Sequence, residues 1–153
     1  MGRWHDLLDS FKIDEKQRKI LPFVGTLNLP TVKSWEPGRV TMEWHVDPGV
    51  FHPRGGVFGG YIAALADRAL ATAAMTQLED HEAFTTADLH VSNFRQVSEG
   101  ILTIEARIIH RGKTLIQCEA EFFRHDGKLS NKATATQAVI PYQEGWNFLP
   151  EKE

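Results

Sequence analysis

One stretch of this chain reads as a long helix, and nearly everything after it reads as strand. Between residues 59 and 78 the apolar side chains Ile62, Leu65, Ala66, Ala69, Leu70 and Ala73 recur at helical spacing. Seven alanines between Ala63 and Ala74 make the segment a strong helix former with a slim profile. It extends roughly 30 Å along its axis. Downstream, residues 85–95, 101–110, 114–124 and 128–140 alternate in polarity or are β-branched. They are separated by Ser98-Glu99-Gly100, Arg111-Gly112-Lys113 and Asp126-Gly127, short glycine-containing turns of the hairpin kind. Four strands joined this way form an antiparallel meander.

The upstream part is shorter. Trp4, Leu7, Leu8 and Phe11 share one helical face, which places an amphipathic helix in residues 1–20. Two prolines and a glycine between Asn28 and Gly38 read as irregular chain. Val40, Met42, Trp44 and Val46 then alternate with polar neighbours as a half-buried strand. The expected architecture is α+β: one long helix covered by one antiparallel sheet of five to six strands, forming a single domain over residues 21–140. The tail, 141–153, is expected to be loosely attached. Thr103, Glu105 and Arg107 define a solvated sheet face. Ile109, Phe122 and Phe123 fit that plan less well, and an edge-to-edge dimer is a candidate home for some of them.

Composition narrows the function classes. The net charge of −3 is spread along the chain, with no basic run or stripe, so nucleic acid is not the expected partner. There is no apolar run of membrane-spanning length, and the single Cys118 excludes an internal disulfide. A cytoplasmic protein without membrane insertion is therefore expected. The histidines are scattered and no clustered Cys/His spacing appears, so no metal and no cofactor are expected.

The chemistry-bearing segment runs from Gly55-Gly56-Val57-Phe58-Gly59-Gly60 into the helix, with one early acid, Asp67. A helix N-terminus presents unpaired N–H groups and a partial positive charge, and glycine lets a ligand come close to them. Such an end can polarise a carbonyl. Tight packing alone also explains Gly59-Gly60, and a lone helical Asp is also an ordinary solvated acid.

With the strand Thr85-Thr86-Ala87-Asp88-Leu89 and the meander added, the chain resembles the hotdog-fold acyl-CoA thioesterases, in particular the phenylacetyl-CoA thioesterase-like subgroup, over residues 40–140. The family pattern is approximately Asn-x-x-Gly-x-x-His-Gly-Gly with a catalytic Asp nine positions after the His. The matching residues are His52, Gly55, Phe58, Gly59, Gly60 and Asp67; His52 stands where the family has Asn, and Phe58 where it has His. Asn93-Phe94-Arg95 resembles the family's run after the Thr strand. The resemblance implies a hotdog fold, with the long helix wrapped by a curved sheet. It also implies hydrolysis of an acyl-CoA to free acid and coenzyme A, with Asp67 as general base or nucleophile and Thr86 helping to place the attacking water. His52 is a candidate for the polar work of the family's Asn, or for a change of substrate.

The N–H groups of Gly59 and Gly60 could stabilise charge on the thioester oxygen. Eight residues separate Gly59 from Asp67, about 12 Å along a helix, whereas reacting groups converge to about 3 Å. One chain's glycines therefore cannot easily serve the same carbonyl as its own Asp67. Two antiparallel copies of the helix resolve this, so a homodimer with two equal sites is expected, and pairing of dimers stays open. The acyl group would lie beside Phe58, Ala63, Ala64 and Ala71. Arg111 and Lys113 are candidates for the coenzyme A phosphates, although a charged hairpin tip explains them as well. A non-catalytic acyl or acyl-CoA binding protein on the same fold is the alternative reading. A hydratase is a weaker rival, because its motif is not found.

Overall fold

A computed structural model describes residues 2–11 and 20–146 of the chain. Along it run α1 (Arg3–Ser10), α2 (Pro22–Thr26), β1 (Thr31–Glu36), β2 (Arg39–His45), α3 (Gly59–Met75), β3 (Glu82–Asn93), β4 (Ile101–Arg111), β5 (Leu115–Phe123) and β6 (Leu129–Pro141). The six strands form one antiparallel sheet in the order β1-β2-β4-β5-β6-β3. This is the hotdog arrangement, with α3 held against the concave face. No described helix is long and apolar enough to cross a membrane. The ends of the expected first helix and tail, 12–19 and 147–153, lie outside the described residues.

Two expectations are corrected. Residues 31–36 form an edge strand rather than irregular chain. Pro37 and Gly38 are the turn that joins it to β2, with Gly38 at φ 85°, the positive value that the third position of a type II turn requires. β1 carries few apolar residues and a register shift between Val32 and Ser34, so its alternation is broken. Its turn is anchored where the helix ends: the Gly38 N–H donates to Thr76 Oγ1 at 2.9 Å, and Thr76 caps the last turn by donating to the Ala73 carbonyl.

The second correction concerns topology. Only β4, β5 and β6 form a meander. β3 pairs with β6 at the far edge, and Ser98-Glu99-Gly100 ends a crossing rather than a hairpin. Residues 94–100 leave β3 with Phe94 and Arg95 N–H groups on the Ser130 carbonyl. They pass the helix start, where the Val57 N–H meets the Val97 carbonyl, and reach β2, where the Val46 N–H meets the Gly100 carbonyl. Seven extended residues reach roughly 23 Å, and three strand spacings need only about 14 Å. The length therefore allows either a hairpin or this crossing, and local alternation cannot choose between them.

The core follows from alternation. Val40, Met42 and Trp44 on β2, Leu102, Ile104 and Ala106 on β4, Ile116, Cys118, Ala120 and Phe122 on β5, and Ala133 and Ala135 on β6 all face inward and are buried. Phe122 is thus a core residue and not a dimer contact. Ile109 stays 56% exposed, next to a register shift between Ile108 and His110 that breaks the alternation. The convex face is polar, with ion pairs Lys33–Glu43 and Arg107–Glu119. At the other end of the chain, α1 covers the C-terminal part of α3: the Trp4 indole N–H donates to the Glu82 carbonyl at 2.9 Å, and His5 Nε2 lies 3.0 Å from the Thr76 carbonyl. Tyr142 is tied back as well, through its N–H on the His81 carbonyl and the Arg3 guanidinium 3.7 Å over its ring.

Arg68 is an outlier in this core. It is 4% exposed, and burial lowers its pKa to about 10. One nitrogen donates to Thr72 Oγ1 at 2.9 Å and the guanidinium lies 5.3 Å from the Phe11 ring centre, while Nε and Nη2 find no hydrogen-bond partner among the described residues. A buried cation paired so poorly works against folding. Arg68→Met should keep the packing volume and raise the melting temperature by several degrees; a lower value in a thermal melt would show that the guanidinium is satisfied in solution.

Candidate active site

α3 begins without a side-chain cap, because its N-cap residue is Phe58. The Phe58 carbonyl accepts from Tyr61 and Ile62 N–H groups. The N–H groups of Gly59 and Gly60 have no acceptor among the described residues, and both glycines are exposed. The Phe58 ring is 46% exposed and folds back over Gly60: a Cβ there would meet Phe58 Cε2 at 2.6 Å.

Beside these donors lies a cavity of about 400 Å³, lined by His52, Gly59, Ile62, Asn93, Arg95 and Asn131 among others. Its lining includes Arg54 and no carboxylate. His52 sits in a tight loop in which its N–H bonds the Gly56 carbonyl and Gly55 adopts φ 85°. Its Nδ1 accepts from the Arg54 N–H at 3.1 Å, so the neutral ring carries its proton on Nε2.

Further along α3, Asp67 is half-buried, and its Oδ1 accepts from Thr86 Oγ1 at 2.9 Å. Next to this contact β3 carries a register shift between Thr86 and Asp88. Gly60, Ala63, Ala64, Asp67 and Ala71 are the partly or fully exposed residues of one α3 stripe, at spacings of three and four. Large side chains are absent from that stripe.

The structure therefore brings the expected residues into two groups. Asp67 meets Thr86. His52, Gly59 and the Asn93 segment meet around the cavity. The groups stay apart within the chain, since α3 runs without interruption from Gly59 through Asp67. Arg111 lies at the opposite end of the helix, fixed to the Gln77 and Gly112 carbonyls and to Glu82. Burial is the largest single influence on the Glu82 carboxyl and disfavours its charge, but the hydrogen bonds from Arg111 and the Glu79 N–H, with the positive charge nearby, together outweigh it and hold this carboxyl below its usual pKa. Lys113 is exposed on the adjoining turn. Arg124 is taken up by Asp126 and the Gln96 carbonyl.

Two buried amides and a buried thiol complete the surroundings. Asn131 and Gln137 share the inward parity of Ala133 and Ala135 on β6, and Gln137 pairs across the ladder with Thr86. That parity is a signal in the sequence, because an inward amide on a strand of alanines is a departure from a plain core. Cys118, on β5, is fully buried, and burial pushes its thiol from 9.0 to about 11. It is not a nucleophile at neutral pH. A soluble thiol reagent at pH 8 should leave it unmodified in folded protein and label it in denaturant; rapid native labelling would contradict this burial. Because its pKa is raised on folding, its stabilising effect is complete below pH 9 and is lost as pH rises towards 11.

A family model described as Thioesterase superfamily matches residues 54–131, which is 78 of 153 residues. This chain belongs to the thioesterase superfamily. The match takes in the cavity loop from Arg54, all of α3, Thr86 and Asn131. Among curated relatives, Putative esterase SSO2140 of Saccharolobus solfataricus is 34% identical over 91 residues, covering 59% of this chain and 64% of its own length. The chain thus spans less than two thirds of that relative. Among solved structures, a phenylacetic acid degradation-related protein of Ralstonia eutropha JMP134, described as a putative thioesterase, is 27% identical, with a TM-score of 0.72 over 80% of this chain and 98% of that one. A Streptococcus mutans UA159 protein solved with acetyl CoA bound shares the fold, at 22% identity and a TM-score of 0.68 over 75% of this chain and 91% of that one.

Proposed function

We propose that this thioesterase-superfamily chain hydrolyses acyl-CoA thioesters and that two copies of it, related by a twofold, assemble each site. The observation that carries the reading is the Thr86–Asp67 hydrogen bond on the one uncovered stripe of α3. It holds a half-buried carboxylate on a stripe whose other residues, Gly60, Ala63, Ala64 and Ala71, are all small. The separation of Asp67 from Gly59, about 12 Å along the helix, supports assembly from two antiparallel copies.

In the assembled site, Gly59 and Gly60 N–H groups of one copy receive the thioester oxygen, and Asp67 of the other acts on the carbon. As general base, Asp67 takes a proton from water while the water oxygen bonds to the carbonyl carbon. As nucleophile, its own oxygen forms that bond, and water then cleaves the resulting anhydride. Either way the C–S bond breaks and the sulfur leaves as coenzyme A. Thr86 donates to one carboxylate oxygen, which leaves the other to act. His52 contributes its Nε2–H as a donor at the cavity, and Phe58 shields the glycines. The acyl group lies along Ala63, Ala64 and Ala71. The acetyl-CoA-bound relative supports coenzyme A as the carrier. Lys113 is the freer of the two cations for its phosphates, because Arg111 is already held by Glu82.

Release of free thiol from aryl- and fatty-acyl-CoAs, followed with a chromogenic thiol reagent, tests this directly. Turnover of at least one class is expected. Tight binding of these thioesters with no thiol released would instead make the chain an acyl-CoA binding protein.

A further inference from the structure

The cavity at the start of α3 holds a polar pair with no counterpart in the mechanism so far. Asn93 ends β3, and Asn131 is its direct cross-strand partner on β6. Asn131 is 2% exposed and donates through Nδ2 to Asn93 Oδ1 at 2.7 Å. Its own Oδ1 is buried without a partner among the described residues. Such an orphan acceptor carries a desolvation penalty, and in a native protein it needs an explanation. An aliphatic residue would avoid the penalty. What Asn131 achieves is orientation: with the Asn93 carbonyl committed to Asn131, the Asn93 amide nitrogen must point the other way.

That direction is towards the helix start. Asn93 Nδ2 is the nearest atom to a Cβ built on Gly59, at 3.6 Å, and no acceptor for it is found among the described residues. The N–H groups of Gly59 and Gly60 are open at the same place, and both asparagines line the cavity. We propose that the Asn93 side-chain amide is a third hydrogen-bond donor to the thioester carbonyl oxygen, beside Gly59 and Gly60, and that Asn131 is the residue that positions it. The role rests on the thioesterase reading. It also suits this chain, in which Phe58 sits at the helix start and brings no side-chain donor. As negative charge grows on the oxygen, a neutral donor held in place beforehand stabilises it without reorganisation.

Asn93→Ala and Asn93→Asp separate this role from a structural one. The aspartate keeps an oxygen that Asn131 can donate to, but it replaces the donor by an acceptor carrying negative charge. A donor role makes Asn93→Asp the slower of the two. Asn93→Ala should lower kcat between about 100- and 1000-fold with KM changed less than about threefold, as expected for loss of one oxyanion donor. Asn93→Asp should lie below it. Asn131→Ala should lower kcat in the same direction, and the Asn93→Ala/Asn131→Ala double variant should match Asn93→Ala alone, because Asn131 acts through Asn93. Asn93→Asp activity equal to or above that of Asn93→Ala would overturn the proposal, as would additive losses in the double variant.

A wild type that releases no thiol from any acyl-CoA would refute hydrolysis and leave the donor itself testable. Calorimetric binding of a non-hydrolysable methylene-ketone analogue of acyl-CoA is then compared with its carbonyl-free thioether. Wild type should prefer the ketone, and Asn93→Asp should lose that preference by at least about tenfold. An unchanged preference would exclude the contact.

Discussion

Replacing Asp67 with asparagine should reduce thioester hydrolysis by at least about a thousandfold while the fold and subunit association persist. The amide is nearly isosteric and can still accept from Thr86 Oγ1, so the 2.9 Å contact survives. What disappears is the basic and nucleophilic oxygen. A base or nucleophile contributes through proton transfer or bond formation that no neighbouring group here replaces. The nearest alternative, Asp88, is exposed on β3 beyond the register shift. On the proposed roles the loss should appear in kcat, with KM close to wild type, because Asp67 is assigned to the reacting carbon rather than to the carrier. Circular dichroism and sedimentation should be indistinguishable from wild type. Retention of more than a third of wild-type turnover would remove Asp67 from the chemistry.

The second large effect concerns stability. Leu65 is fully buried near the middle of α3, next to Ala66 and one turn before Ala69, which are also fully buried. Leu65→Ala should destabilise the fold by about 3–5 kcal/mol, because the vacated volume cannot be refilled. The same core cluster includes Cys118, Ala120, Ala133 and Ala135, short side chains with little reach to fill a void. For a domain of this size the melting temperature should fall by roughly 10 °C. A drop under about 3 °C would mean that α3 moves bodily towards the sheet.

The sequence made some of this legible because periodicity acts locally. The α3 stripe, the inward sets on β2, β4 and β5, and the spacing from Gly59 to Asp67 could each be read within one segment. Strand order could not. Residues 94–100 are long enough for either a hairpin or a crossing, and the choice is made by distant backbone partners, the Ser130 carbonyl and the Val57 and Val46 N–H groups. β1 was hidden for a different reason. Its register shift breaks the alternation, and Pro37-Gly38 looks like a breaker when it is a turn. At the site, Asp67 and Thr86 could be paired only through resemblance, since 19 residues and two different elements separate them. The Asn93–Asn131 contact, across 38 residues, needed the β3–β6 register, which no local pattern encodes.

The outer edge of β3 has one more consequence. This strand is 12 residues long, and its far side has no neighbour among the described strands. A row of open N–H and C=O groups of that length recruits another strand. If the recruit is the same strand of a second copy, enzyme concentration becomes a kinetic variable. Specific activity would then fall on dilution below the dissociation constant of the pair, with a lag on re-concentration as strands find register. Diluted stocks would understate the catalyst, and progress curves at several protein concentrations would expose it.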